Sequence, residues 1–151
     1  MDFIDLAFEL PRLNNPNVRQ VLQTISQKSR LKAFIIDFFC NAAFEVSTSL
    51  SIPTFYFYTS GANCLVVFLS LLTLHESIKD LNTYLEFPGI PPILTSDLPE
   101  VLIFDRNSLA FKNFLNTASQ MAKSSGIITN TFNSLEQRAI KAISDGLCIP
   151  N

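Results

Sequence analysis

One acidic side chain interrupts an apolar run at a position where α/β proteins often bind ligands. Asp37 directly follows Ala33, Phe34, Ile35 and Ile36. A carboxylate is costly to bury unless it has a partner, so this position calls for either a ligand or a local hydrogen bond. Short acidic residues commonly cap the helix that follows a strand, and position alone favours this structural role. Asp37 is therefore a candidate site residue with capping as the alternative.

Two further polar groups follow apolar runs in the same way. Thr59, Ser60 and Gly61 come after Thr54–Tyr58, and Asn130 with Thr131 comes after residues 126–129. In open parallel sheets, ligands bind in the crevice beyond the carboxyl ends of the strands, which selects these places together with Asp37–Phe39. Thr59 and Ser60 are equally suited to cap the helix that follows them.

Other catalytic constellations lack support. His75 is the only histidine and lies near the end of an apolar helix, where capping or a surface role is the usual function. The serines have no histidine base near them in the pattern, so a hydrolase triad is unsupported. Metal-ligand spacing is absent, and none of the 4 glycines forms a phosphate-binding loop. The residues alone give one conspicuous acid and no base.

The elements that must position these residues alternate between strand and helix. Short apolar runs rich in β-branched or aromatic residues predict strands over Ala33–Asp37, Thr54–Tyr58 and Gly126–Asn130. Uninterrupted apolar runs are typical of parallel strands that are covered on both faces. Strand–helix alternation implies right-handed crossovers, so we expect an α/β fold with a parallel, doubly wound sheet and helices on both faces.

Helices are predicted between these strands from capping residues and apolar spacing. Asn15 is expected to cap a helix that has Pro16 in its first turn, and Asn133 with Glu136 has the spacing of a capping box. Phe3–Leu10 is apolar but too short to classify. The predicted helices run from Pro16 to about Ser29, Phe39 to Leu50, Gly61 to Leu74, from near Ser108 through Ala118, and from Asn133 toward Gly146, with a loop and a short helical turn between residues 76 and 100.

Composition excludes several functional classes. The chain has 151 residues, of which 48% are hydrophobic and 16% charged, so it can build a core and is not disordered. The net charge is −2 with no basic stripe, which argues against nucleic-acid binding. The longest apolar run, Cys64–Leu74, is about half the ~20 residues of a spanning helix. Three scattered cysteines predict free thiols in a reducing compartment, the cytoplasm.

Four strings of residues carry a resemblance to a known family. They are residues 34–40 (FIIDFFC), 52–62 (IPTFYFYTSGA), 87–92 (FPGIPP) and 126–136 (GIITNTFNSLE). In this order and spacing they resemble plant UDP-dependent glycosyltransferases, closest to the flavonoid and phenolic branch that includes anthocyanidin glucosyltransferases. That family has the GT-B architecture of two Rossmann-like domains. The resemblance implies that residues 1–151 are part of the N-terminal acceptor-binding domain and that the UDP-sugar-binding domain is absent from them.

The resemblance also implies roles for single residues. Asp37 matches the aspartate that orients the family's catalytic histidine, which lies in a segment outside this chain; His75 is in the wrong element to replace it. Thr59 matches a threonine that contacts the donor sugar. The residues that match walls of the acceptor pocket are Phe38, Phe39, Ser60, Gly61 and Phe68. No cofactor or metal is implied, since the UDP-sugar is a co-substrate and the partner is a phenolic acceptor.

Two functions remain open at this point, because a third, an unrelated small Rossmann-like enzyme, requires a phosphate-binding loop that the sequence does not show. The first is an inverting glycosyltransferase, of which this chain alone is expected to be inactive because it lacks the base and the donor domain. The second is a non-catalytic domain that binds phenolics or another protein. If neighbouring strands are missing, an exposed sheet edge and apolar helix faces predict poor solubility in isolation.

Overall fold

The computed structural model describes residues 3–78, 80–103 and 105–149, in which helices and strands alternate. The helices are α1 (Phe3–Leu13), α2 (Asn15–Lys28), α3 (Ala43–Ser49), α4 (Ala62–Leu74), α5 (Glu100–Ile103), α6 (Leu109–Lys123) and α7 (Asn133–Ser144). The strands are β1 (Phe34–Asp37), β2 (Thr54–Tyr58), β3 (Tyr84–Leu85), β4 (Ile93–Leu94) and β5 (Gly126–Thr129). Short 3₁₀ helices cover Phe38–Cys40, His75–Ser77 and Thr95–Asp97.

The chain forms two compact units. Unit 1 contains the residues up to Tyr58 together with Lys123–Ile128, and unit 2 contains Thr59–Ala122 and the residues from Thr129 onward. Asp37 belongs to unit 1, whereas Thr59, Ser60 and Gly61 belong to unit 2. Each unit is described by itself below.

Unit 1 is built on a three-stranded parallel sheet in the order β1–β2–β5. Its register pairs Ile36 with Tyr56 and Asp37 with Phe57. Helix α3 packs against β1 and β2 and against α2. The core between these elements contains Leu22, Val46 and Ile52. The predicted α/β class with a parallel sheet is therefore confirmed.

The expectation that β1 is covered on both faces is wrong for this chain. Ile36 is 4% exposed, but its neighbour Ile35 is 57% exposed, and Asp37 is exposed as well. Successive side chains of a strand point to opposite faces, so only one face of β1 is covered by the described residues. β1 is the first strand in the order β1–β2–β5, so its outer edge has no partner strand in the described part of the chain.

Several element boundaries differ from those predicted. The helix predicted from Phe39 to Leu50 is divided into a 3₁₀ helix and α3, and the unclassified Phe3–Leu10 segment belongs to α1. The N-cap residue of α2 is Asn14, so the prediction that Asn15 caps it is wrong. The Asn15 side-chain amide instead donates to the Ala42 carbonyl at 2.9 Å, which ties α2 to the segment before α3.

Unit 2 is dominated by the packing of α4 against α7. α4 is apolar around most of its circumference and buries seven of its residues, as expected of a helix within a core. The antiparallel pair β3–β4 lies in the segment predicted to be a loop. α7 ends as predicted near Gly146, whose φ of +75° allows Leu147 N to donate to Ala142 O at 3.0 Å in a Schellman arrangement.

Candidate functional site

Asp37 lies at the carboxyl end of β1 and caps the 3₁₀ helix that follows. Its Oδ1 accepts a hydrogen bond from the Phe39 amide at 2.9 Å, while its side chain stays exposed. The capping alternative is therefore present in the structure. A carboxylate has two oxygens and about four acceptor positions, so one backbone hydrogen bond leaves capacity for a donor such as an imidazole N–H. Capping and a catalytic role are compatible at this residue.

An aromatic cluster stands next to Asp37 in unit 1. Phe38 and Phe39 meet edge to face with ring centroids 5.0 Å apart, and Phe39 meets Phe8 in the same way at 5.1 Å. Phe38 also contacts Tyr58, the last residue of β2, at 6.2 Å. Phe39 remains 36% exposed. This arrangement holds the Phe39 ring in place while part of it faces outward, as a wall for a flat apolar ligand requires.

Cys40 is a neighbour of Asp37 that the sequence did not single out. Burial, and then the negative charge of Asp37, raise the pKa of the Cys40 thiol. The thiol is therefore a neutral group beside the carboxylate rather than a nucleophile, because nucleophilic cysteines need a lowered pKa. Only the spacing of three residues after Asp37 could have indicated this proximity.

The loop Thr59–Gly61 lies in unit 2 and is held through its backbone. The Ser60 carbonyl accepts a hydrogen bond from the Thr129 hydroxyl at 2.7 Å and one from the Asn130 amide at 3.3 Å. Thr59 and Ser60 themselves are exposed. Two of the polar groups predicted at strand ends are therefore in contact, because Thr129 and Asn130 donate hydrogen bonds to the Ser60 carbonyl.

The carboxylate of Glu136 caps the N-terminal end of α4, although the two are far apart in the sequence. Its two carboxylate oxygens accept the Ala62 amide at 2.8 Å and the Asn63 amide at 2.9 Å, and they also accept the Thr131 hydroxyl. These two amides are therefore not capped by Thr59 or Ser60. The prediction that Glu136 forms a capping box with Asn133 is wrong, since its carboxylate points to a different helix and its own φ and ψ, −129° and 38°, are not helical.

The electrostatics of Glu136 follow from these neutral donors. The Thr131 hydroxyl and then the Asn63 amide hold the pKa of the Glu136 carboxyl below its usual value; burial opposes them, and the Ala62 amide adds a smaller lowering. The N-terminal end of a helix also favours negative charge. The carboxylate is consequently ionised throughout the neutral range.

The Glu136 carboxylate lies so close to Gly61 that a side chain at this position would meet it. A Cβ atom at Gly61 would lie 2.7 Å from one Glu136 carboxylate oxygen and 2.8 Å from the other. No side chain larger than hydrogen fits there without moving Glu136 from the amides of α4. The sequence could not show this contact, because Glu136 follows Ala62 by 74 residues.

The remaining predicted residues occupy structural positions. Phe68 is 4% exposed and packs edge to face on Phe114 at 6.0 Å, so its role as a pocket wall stays a prediction. The His75 Nδ1 lies 2.7 Å from the Leu71 carbonyl, and its ring contacts Phe111. These contacts agree with the structural role predicted for His75.

The described residues, 3–78, 80–103 and 105–149, offer neither a metal site nor a membrane-spanning helix. No three His, Cys, Asp or Glu side chains there are grouped so that they could hold a metal ion. No helix in the same ranges has the length and apolar character needed to cross a membrane.

Comparison with known proteins places the chain in a family. No protein-family model matches it. It is 51% identical to UDP-glycosyltransferase 88B1 of Stevia rebaudiana over 98% of its own length and 33% of the relative's. It is 50% identical to anthocyanidin 5,3-O-glucosyltransferase of a Rosa hybrid cultivar, over 98% of this chain and 32% of that protein. The chain thus spans about a third of the length of the curated relatives it matches.

Solved structures lead to the same family. Phytolacca americana UGT2, in a complex with UDP-2-fluoro-glucose and pterostilbene, matches 85% of this chain and 30% of its own chain at 28% identity and a TM-score of 0.78. Sequence and fold therefore agree over nearly all of the 151 residues. The chain belongs to the plant UDP-glycosyltransferases and corresponds to about one third of such a protein.

Proposed function

We propose that this chain is part of a glycosyltransferase that transfers a sugar from a UDP-sugar to a hydroxyl of a flavonoid or related phenolic. The sugar that we propose is glucose. The observation that carries the proposal is the identity of about half of its residues to relatives that include an anthocyanidin glucosyltransferase. We assign residues 1–151 to the acceptor-binding Rossmann-like domain and the UDP-sugar-binding domain to sequence outside them. The proposed compartment is the cytoplasm, where the free thiols of Cys40, Cys64 and Cys148 would stay reduced.

The chemistry assigns one task to Asp37. An acceptor hydroxyl attacks the anomeric carbon as the bond from that carbon to UDP breaks, and the configuration inverts. The hydroxyl proton passes to a histidine, which we assign to a part of the protein outside these residues. A carboxylate partner fixes the tautomer of that imidazole and stabilises its cationic form. Asp37 is suited to this task because it is exposed at a strand end and its hydrogen bond with the Phe39 amide is made through Oδ1 alone.

Substrate contacts follow from the same proposal. The exposed side chain of Thr59 would bind the donor sugar, and the partly exposed ring of Phe39 would line the acceptor pocket together with Phe38. Ser60, Gly61 and Phe68 are the other proposed pocket residues. Aromatic faces suit a flat phenolic ring. The similar Phytolacca structure, which contains pterostilbene, supports an aromatic acceptor. No metal ion takes part in the proposed reaction.

The alternative of a non-catalytic domain is not favoured by these comparisons, since the relatives are named as transferases.

A chimera tests the proposal. The chain replaces the matching third of the rose anthocyanidin glucosyltransferase, and glucose transfer from UDP-glucose to an anthocyanidin is measured. We expect transfer by the chimera, and we expect Asp37→Ala to lower kcat by about 10²-fold or more because the base loses its orientation. Asp97→Ala, in the 3₁₀ helix of unit 2, is the matched control and should retain activity.

Three results would contradict the proposal. One is an inactive chimera that is folded by circular dichroism, and another is a chimera whose Asp37→Ala variant keeps full activity. The third is measurable transfer by the 151-residue chain alone, since that would mean that neither the histidine nor the donor domain is needed.

A further inference from the structure

The Thr59–Gly61 loop is held from two sides by one continuous segment of unit 2. Within the loop, Thr129 and Asn130 donate hydrogen bonds to the Ser60 carbonyl. Directly after the loop, Glu136 accepts the amides of Ala62 and Asn63. Residues 129–136 therefore hold the middle of the loop and the two residues that follow it, while the side chains of Thr59 and Ser60 are exposed.

We propose that Glu136 is a positioning residue that fixes the Thr59–Gly61 loop in its ligand-binding conformation. The inference rests on the proposed function, because that function makes Thr59 a contact of the donor sugar. Glu136 itself touches neither sugar nor acceptor. It acts through the backbone of the residues directly after Gly61.

The position of the carboxylate explains why it can have this effect. The first amides of a helix have no partner within the helix and attract an anion, often a phosphate of a ligand. In α4 this place is taken by an anion of the protein itself. A phosphate of the donor consequently cannot use the Ala62 and Asn63 amides while Glu136 occupies them, and the loop is ordered before any ligand arrives.

Gly61 and Thr131 complete the arrangement. The absence of a side chain at Gly61 lets the carboxylate come within hydrogen-bonding distance of α4, because a Cβ there would stand 2.7 Å from it. The Thr131 hydroxyl donates to the same carboxylate, which limits its rotation. The residues that set the ionisation of Glu136 are all neutral, namely Thr131, Asn63 and Ala62.

An NMR titration of the 151-residue chain tests the proposal without any assay of activity. Amide ¹⁵N and ¹H shifts are followed from pH 7 to pH 3, at a concentration where the chain is monomeric. In the native chain, Ala62, Asn63, Thr59 and Ser60 should move together with one midpoint, that of Glu136. In Glu136→Gln this step should vanish and all four signals should be displaced. Glu45→Gln, an exposed change in the first turn of α3, should leave them unchanged.

The same experiment can overturn the proposal. If Ala62 and Asn63 respond while Thr59 and Ser60 do not, Glu136 is only a helix cap and does not position the loop. The titration of the native chain decides this even where the Glu136→Gln variant fails to fold.

Catalysis in the rose chimera separates this inference from the proposed function. Glu136→Gln should raise the KM for UDP-glucose by about 10-fold, because a displaced contact weakens donor binding, while the KM for the anthocyanidin should change less than twofold. An equal rise of the two KM values would overturn the positioning role. An inactive parent chimera would instead refute the proposed function, and the NMR result would still decide the role of Glu136.

Discussion

Asp37 and Glu136 are both carboxylates that accept backbone amides at the start of a helical segment, but they differ in reach. Asp37 accepts the amide two residues ahead of it, so its contact is local and compatible with other hydrogen bonds. Glu136 accepts the amides of Ala62 and Asn63 in α4, which precede it by 74 and 73 residues. Because its hydrogen bonds form only in the folded state, the ionisation of Glu136 is coupled to folding.

This coupling predicts a dependence of stability on pH. The folded-state pKa of Glu136 is lowered, so the folded chain holds its proton less tightly than the unfolded chain does. The stabilisation is fully present above the unfolded pKa of about 4.3 and is lost as the pH falls through the lower folded value. We expect the free energy of unfolding by urea to fall more steeply between pH 5 and pH 3 in the native chain than in Glu136→Gln.

Glu45→Gln is the control for this measurement, since it removes the same charge from an exposed position. Its pH profile should follow that of the native chain. Parallel profiles for the native chain and Glu136→Gln would show that the carboxylate gains nothing from its contacts with α4.

At the level of elements, the sequence predicted those that depend on long apolar runs. β2 and α4 have the expected ends, because Pro53 and Gly61 directly precede them and the residues that follow each are mostly apolar. The two-residue strands β3 and β4 were missed, since two residues cannot display a periodicity. The division of Phe39–Leu50 was missed as well, because no glycine or proline marks the break near Asn41.

The candidate site was predictable to a similar degree. In the structure Asp37 is the last residue of β1, and Thr59 and Asn130 directly follow β2 and β5, so the strand ends lie where the sequence predicted them. The strand-end rule could not identify the group that caps α4. That contact joins residues far apart in sequence, so neither spacing nor propensity carries a signal for it.

A buried hydrogen bond connects the segment after Asp37 to β2. The Tyr56 hydroxyl donates to the Asn41 Oδ1 at 2.5 Å, and the two residues are 0% and 4% exposed. Burial also raises the pKa of Tyr56, so the hydroxyl keeps its proton at any physiological pH. The bond connects the middle of β2 to the residue that directly follows the 3₁₀ helix Phe38–Cys40, and it thereby fixes the polypeptide next to Asp37.

Removal of the Tyr56 hydroxyl should therefore destabilise unit 1. Tyr56→Phe leaves the buried Asn41 oxygen without this donor, which we expect to cost about 1–3 kcal/mol in the free energy of unfolding by urea. Tyr84→Phe deletes the same group from a residue that is 66% exposed, and it should change the free energy by less than about 0.5 kcal/mol. Equal effects of the two substitutions would show that the buried bond has no special role.

For the molecule as a whole, the most unusual surface is the outer face of α1. Phe3, Leu6, Leu10 and Leu13 are spaced by three, four and three residues and therefore form one stripe along the helix. They are 79%, 43%, 58% and 61% exposed. The opposite side of α1 carries Phe8, which is buried and packs on Phe38 and Phe39. α1 is thus apolar on both sides, and the side that carries this stripe is largely exposed.

An exposed apolar stripe of this kind promotes self-association in water. We expect the purified chain to sediment as species larger than the monomer, in proportions that rise with protein concentration, as the predicted poor solubility requires. The double substitution Leu10→Glu and Leu13→Glu should shift the chain toward monomer, because it interrupts the stripe without touching Phe8. Gln23→Glu with Gln27→Glu adds the same charge to exposed positions of α2 and should leave the distribution nearly unchanged. If both double variants reduce association equally, net charge is the cause. If the native chain is monomeric at high concentration, the stripe has no such effect.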